Sequence, residues 1–249
     1  MKYFILSLVG IIAGFINVNA GGGSFLVIPT LILLGLSPNI ANGTNRIGIL
    51  AMTTVSIITF KFHGVSNLRF STYLALPAIF GAYLGTMISI KIPPVLFKQI
   101  LSVLMITMMI FSFYKPKQDR NMMTKFSLLR NLASFVGFFF IGLYGGLIQA
   151  GVGFLMILIL RSVHEMSLKM ISSIRVAVVF YYTIIPIIIF IKYDRINWLY
   201  GLILAGSVSF GGWIGTKWNI KKQDNAIKKV VAISVIIMAI SIWFKSYAS

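Results

Sequence analysis

The stretch Ala20-Gly21-Gly22-Gly23-Ser24-Phe25-Leu26 interrupts an apolar segment, and Ala150-Gly151-Val152-Gly153-Phe154-Leu155 interrupts another in the second half of the chain. Phe25 stands over Phe154 and Leu26 over Leu155 at an offset of 129, and in each copy an arginine follows 21 residues after that phenylalanine, Arg46 and Arg175. Further along, Gly81-Ala82-Tyr83-Leu84-Gly85-Thr86 matches Gly211-Gly212-Trp213-Ile214-Gly215-Thr216 at an offset of 130. Three landmarks in the same order mark an internal duplication. Two apolar halves, each with a broken helix and one charge, are the pattern of a transporter built from repeats.

The chemistry of the breaks points the same way. Successive glycines give up helical continuity easily, because each is about 1 kcal/mol less favourable in a helix than alanine. Such backbone survives inside a membrane only where protein or a water-lined cavity covers it. Half-helices beginning near Ser24 and near Gly153 would then direct their N–H groups and positive dipole ends into the interior, an anion-binding arrangement. Gly21, Gly22, Gly23, Ser24, Gly151 and Gly153 are therefore candidate binding positions, and Asn17, Asn19 and Gln149 stand just ahead of the breaks with further donors. The glycine pairs Gly81/Gly85 and Gly211/Gly215 read instead as close helix packing.

Composition sets the class. The chain is 58% hydrophobic and 10% charged, with a mean hydropathy of +0.95, where a soluble domain carries roughly 25% charged residues. It reads as an all-α integral membrane protein. Apolar runs fall at 3–20, 24–36, 40–60, 70–90, 97–113, 131–149, 153–160, 168–191, 196–216 and 230–244. Each half is a broken hairpin followed by three spans, so the odd count of crossings inverts the second half. The expected fold is two inverted four-helix repeats, 1–114 and 131–249, with the first helix of each a broken hairpin and a polar linker at 115–130. Lys2 and Val18-Asn19-Ala20 imitate a signal peptide, but the internal counterpart at 131–153 argues that the segment is kept.

The net charge of +18 is scattered through short loops, so it is an orientation signal and not a nucleic-acid surface. The loops 61–69, 115–130, 161–169 and 217–229 hold 14 Lys and Arg, against 6 in the alternate loops and termini. The first set is expected to be cytoplasmic, which leaves both termini outside. Zero cysteines excludes disulfides and thiolate chemistry. An intramembrane enzyme finds no support either. His164-Glu165 lacks the second histidine of a zinc motif, and Gly22-Gly23-Ser24-Phe25 lacks the glycine of a nucleophile elbow.

The arginines are the sharpest signal. Ser37-Pro38 reads as a helix start, with Arg46 eight residues after Pro38, and Ser167 is a cap with Arg175 eight residues beyond it. At 1.5 Å per residue each charge lies about 12 Å along its helix, near the middle of a core about 30 Å thick. An intramembrane charge is a functional hypothesis by default. The only acids, Asp119, Glu165, Asp194 and Asp224, fall in loops, so the arginines must face water, backbone carbonyls or a bound anion. Thr44 and Asn45 beside Arg46, and Ser173 beside Arg175, add local polarity.

The run Gly14-Phe15-Ile16-Asn17, Ala20 to Gly23, Pro29, Gly35-Leu36-Ser37-Pro38 and Gly43-Thr44-Asn45-Arg46 resembles the TauE/SafE sulfite exporter family of bacterial anion permeases. The resemblance spans essentially the whole chain. It implies two inverted repeats and transport of sulfite or small organosulfur anions such as sulfonates and sulfoacetate. The second hairpin, Leu147 to Gly153, departs from the family's usual Gly-Pro-Gly-Thr-Gly. The expected protein is a secondary transporter of the bacterial cytoplasmic membrane that exports such anions by alternating access. An anion channel and an uptake permease for organosulfonates are the alternatives. A small anion and the lipid bilayer are the expected partners, a homodimer is compatible with this architecture, and no metal, cofactor or nucleic acid is expected.

Overall fold

The computed structural model describes residues 1–113, 128–164 and 166–222, and among the described residues the chain forms helices and no strand. The first stretch holds α1 (Lys2–Asn19), α2 (Ser24–Leu33), α3 (Pro38–Phe62), α4 (Leu68–Ser89) and α5 (Pro94–Phe113). The second and third hold α6 (Leu128–Leu147), α7 (Val152–His164), α8 (Leu168–Lys192) and α9 (Trp198–Lys221). The expected apolar run at 230–244 and residues 115–127 of the linker lie outside the described residues. Residues 128–130, expected to end the linker, begin α6 instead, because Leu128 and Leu129 extend its apolar sequence.

At an offset of 130 both ends of α3 match those of α8, and the start of α4 matches that of α9. α3 and α8 both run 25 residues, each from a cap serine in extended backbone, Ser37 at φ −62, ψ 150 and Ser167 at φ −61, ψ 148. Asn67 and Asn197 cap α4 and α9 through side chains that accept from Phe70 and Tyr200 N–H, which removes one of the amides a helix start leaves without a partner. The chain turns between α1 and α2 at Gly21, φ 84, and between α6 and α7 at Gly151, φ 81. Both angles lie in the left-handed region that glycine enters without steric cost. After each turn the short helix lies back against the long one before it.

α1, α4, α8 and α9 are long and apolar enough to cross a membrane. α3 has the length, since 25 residues span about 37 Å, but its hydropathy is lowered by Asn39, Asn42, Thr44, Asn45 and Arg46, all buried inside the protein. At about 15 Å and 20 Å, α2 and α7, of 10 and 13 residues, cannot cross a core about 30 Å thick. Phe80, Phe140 and Leu202 stand exposed on the outward faces of α4, α6 and α9, an apolar exterior suited to lipid.

Packing crosses between the halves of the sequence. α1 lies chiefly on α9 and α6 chiefly on α4, while α3 joins α9 and α8 joins α4. Two bundles result, α1-α3-α9 and α4-α6-α8, and they meet mainly where α3 touches α8. The glycine pairs do what close packing requires. A Cβ on Gly81 or Gly85 would strike the carbonyls of Phe139 or Leu143 on α6, and one on Gly211 would strike the carbonyl of Ile11 on α1.

Candidate functional site

The two turns meet at the centre of the molecule. A Cβ on Gly21 would run into the Cα of Gly153 and Nη1 of Arg175, and a Cβ on Gly153 would run into the Cα of Gly21 and the same Nη1. The glycines are thus needed for contact as much as for conformation: backbone touches backbone, with one guanidinium nitrogen against the crossing. A small cavity of about 20 Å³ opens beside it, room for roughly one water molecule. Its polar lining comes from Asn17, Thr53, Gln149 and Arg175 with Gly21 and Gly153, and its apolar lining from Ile49, Met52, Val152, Val176 and Val179.

Both arginines are inside, Arg46 at 0% and Arg175 at 2% exposure, so neither reaches out to the membrane surface. Their partners are carbonyls and amides, all from the opposite half except Asn42 Oδ1, 3.5 Å from Arg46 Nη2. Arg46 Nη2 donates to Gly146 O at 3.0 Å and Nη1 to Gln149 Oε1. Arg175 Nη2 donates to Asn17 O at 3.0 Å and to Val18 O. Each guanidinium therefore caps carbonyls at the C-terminal end of the other half's long helix, α6 or α1, where the dipole is negative and the last carbonyls lack helical partners. That compensates a buried charge without a carboxylate.

The two arginines differ in what remains free. Arg46 commits both terminal nitrogens, has Phe190 5.9 Å from its guanidinium carbon, and does not line the cavity. Arg175 keeps Nη1 buried and without a partner at the cavity wall, and Asn17 Nδ2 is in the same condition. The cause lies in helix register. Counted from the matched cap serines, Arg46 is the ninth residue of α3 and Arg175 the eighth of α8. The arginines are thus not at equivalent positions, contrary to the reading by sequence spacing: one residue is about 100° around a helix. Val176, not Arg175, matches Arg46, and Val176 is itself part of the cavity wall.

The remaining expected residues divide between site and scaffold. Asn17 Oδ1 accepts from Gly23 N–H at 2.9 Å, which fixes its amide with the NH2 toward the cavity. Gln149 Oε1 accepts from Arg46 and from Tyr182 O–H at 3.1 Å, so only its NH2 is left to offer. Asn45 donates to Ser24 Oγ at 3.1 Å and ties α3 to the start of α2. Asn19 is spent on packing, donating to Phe15 O and accepting from Asn219. Thr44 accepts from Asn197 N–H and Ser173 donates to Val65 O, which anchors the loops before α9 and α4. Gly22 and Gly151 lend their carbonyls to Phe25 and Phe154 N–H.

The half-helix N-termini are less open than expected. Gly23 N–H goes to Asn17, and Phe25 and Leu26 N–H go to Gly22 and Gly23 carbonyls. The free donors at the crossing are side chains. Sequence reasoning missed Thr53 and Tyr182, each seven residues after its arginine, and Ile49 and Val179, three and four residues after theirs. Those spacings lie on the arginine's own helix face, so a count along the helix from each charge would have found them. Among the described residues no group of three metal-ligating side chains occurs.

Spanning helices, an apolar exterior and buried hydrogen-bond donors at the crossing of two glycine turns accord with a membrane transporter, the class to which the comparisons assign the chain. The profile of the family described as Sulfite exporter TauE/SafE matches residues 6–242, and the chain belongs to that family. Relatives described as probable membrane transporter proteins include one from Haemophilus influenzae, 26% identical over 94% of this chain and 91% of its own. YunE of Bacillus subtilis is 23% identical over 100% of both chains, and YfcA of Escherichia coli K12 is 24% identical over 98% of this chain and 90% of its own. No solved structure matches the chain.

Proposed function

We propose that the protein is a secondary transporter that exports small sulfur-containing anions, sulfite, sulfonates or sulfoacetate-like, across the bacterial cytoplasmic membrane by alternating access. The anion binds beside the crossing of the two turns, on Arg175 Nη1, Asn17 Nδ2 and the Gln149 amide, with Arg46 holding Gln149 in place. The observation that carries this reading is the pair of buried donors without partners, Arg175 Nη1 and Asn17 Nδ2, facing one cavity. A buried donor left unpaired is costly, and an anion removes that cost.

Two inverted four-helix repeats, each opening on a broken hairpin, would supply the two-sidedness that alternating access needs. The matched bounds of α3 and α8 and the matched turn angles at Gly21 and Gly151 support that architecture. The moving bodies would be the bundles α1-α3-α9 and α4-α6-α8, because packing within each is tighter than packing between them. A cavity with room for about one water is too small for a sulfonate, so admission requires the bundles to part. Export follows from energetics: an inside-negative potential drives an anion outward by about 2.3 kcal/mol per charge per 100 mV, and among the described residues the site holds no carboxylate to relay protons. Loop charges put both termini outside.

The test is flux of labelled sulfite and sulfonate in proteoliposomes. Wild-type flux should saturate with concentration, unlike the ohmic current of a channel. Arg175→Ala should lose at least about tenfold, since a charge-assisted contact is worth about 1.5–3 kcal/mol and the counter-charge goes with it. Arg46→Ala should lose less, through a loosened Gln149. Unchanged flux in both variants would overturn the site.

A further inference from the structure

Every polar side chain lining the crossing except Thr53 is fixed to donate, and that limits what can bind. Asn17 has its oxygen held by Gly23 N–H, and Gln149 has both lone pairs of its oxygen taken by Arg46 and Tyr182. Neither amide can turn an acceptor to the cavity without breaking those bonds. Arg175 has no acceptor at all. Thr53 donates its hydroxyl proton to Ile49 and Leu50 carbonyls, so its oxygen is the one side-chain acceptor in the lining. Among the described residues Arg175 is also the only charged side chain there.

The rest of the wall is hydrocarbon. Ile49 and Met52 come from α3 and Val176 and Val179 from α8, so an occupant extending past the donors meets side chains with no polar atom but a thioether. One positive charge balances one negative charge. A dianion would keep an unpaired charge in a buried setting, and a substrate bearing an ammonium group would find no carboxylate to receive it; both are penalised strongly away from water.

We infer that the site selects a monovalent oxyanion head on a short apolar chain, and that it discriminates against dianions and zwitterions of the same size. This rests on the transporter reading above and narrows it: within organosulfur anions it favours simple alkanesulfonates over sulfoacetate, sulfate or amino-sulfonates. A short-chain carboxylate presents the same monovalent head. Val176 and Val179 set the preference for the chain, and Arg175 with the two amides sets the preference for the head.

The experiment is competition against labelled propane-1-sulfonate flux in proteoliposomes of the full chain. Unlabelled propane-1-sulfonate and butyrate present the two monovalent heads. Taurine is nearly isosteric with propane-1-sulfonate but ends in ammonium, and sulfoacetate ends in carboxylate. At least one of the two monovalent apolar anions should compete at a concentration tenfold or more below that of taurine, sulfoacetate and sulfate. In Val179→Thr, which keeps shape and adds a hydroxyl, the preference for propane-1-sulfonate over taurine should fall several-fold while thermal stability in detergent holds. Taurine or the dianions competing equally, or an unaltered preference in Val179→Thr, would overturn the selectivity alone. Absence of flux for every anion, sulfite included, would overturn the transporter reading and the selectivity with it.

Discussion

Asn17 is where the smallest chemical change should have the largest effect. Its Nδ2 is buried without a partner and faces the same cavity as Arg175 Nη1. In Asn17→Asp the shape is kept, yet one oxygen would face Arg175 as a built-in counter-charge and compete with any anion. Flux should drop at least tenfold, since a close ion pair away from water is worth several kcal/mol at an effective dielectric near 20, while size-exclusion behaviour stays that of wild type. Flux at the wild-type level would remove Asn17 from the site. Arg46 and Arg175 look alike in the sequence and are placed differently, one holding Gln149 with every terminal nitrogen engaged and the other keeping Nη1 without a partner at the cavity wall.

That difference belongs to α3 and α8 as whole elements. Their ends match at an offset of 130 and their arginines at 129, so the guanidinium groups leave the two helices about 100° apart. Exchanging Arg175 and Val176, as Arg175→Val with Val176→Arg, should not restore flux, because an arginine at position 176 loses the carbonyls of Asn17 and Val18; transport near wild type would show that the register is unimportant. Helix starts were legible in the sequence at Ser37-Pro38 and Ser167, and those at Asn67 and Asn197 emerge only from the structure. The turns were legible from their glycines, and the buried charges from the want of any acid inside the membrane. The register slip is hidden because the phenylalanines after the turns and the arginines share one offset, 129, one short of the offset of the helix ends. The division of labour between the arginines was hidden because it depends on which carbonyls of the opposite half come within reach, and no spacing along one strand of sequence records that.

At the scale of the molecule, the bundles α1-α3-α9 and α4-α6-α8 depend on glycine where helices touch backbone to backbone. Gly85→Val would drive side-chain atoms into the carbonyl of Leu143, and overpacking of this kind costs about 1–3 kcal/mol, so the melting temperature in detergent should fall by several degrees. Gly206→Ala has open space around it and should leave that temperature unchanged or slightly higher, since alanine is the better helix former. Equal behaviour of the two variants would mean that the glycines are not packing contacts. The crossing of Gly21 over Gly153 also bears on how the protein is made. Gly14 on α1 lies against the carbonyl of Val208 on α9, and the first turn closes only on the second, so the opening helices enter the membrane long before their partners are synthesised. Until α7 and α9 emerge from the ribosome there is no crossing of the two turns and no finished face for α1, and the nascent chain must wait in lipid, with its glycine surfaces unmatched, for its own second half.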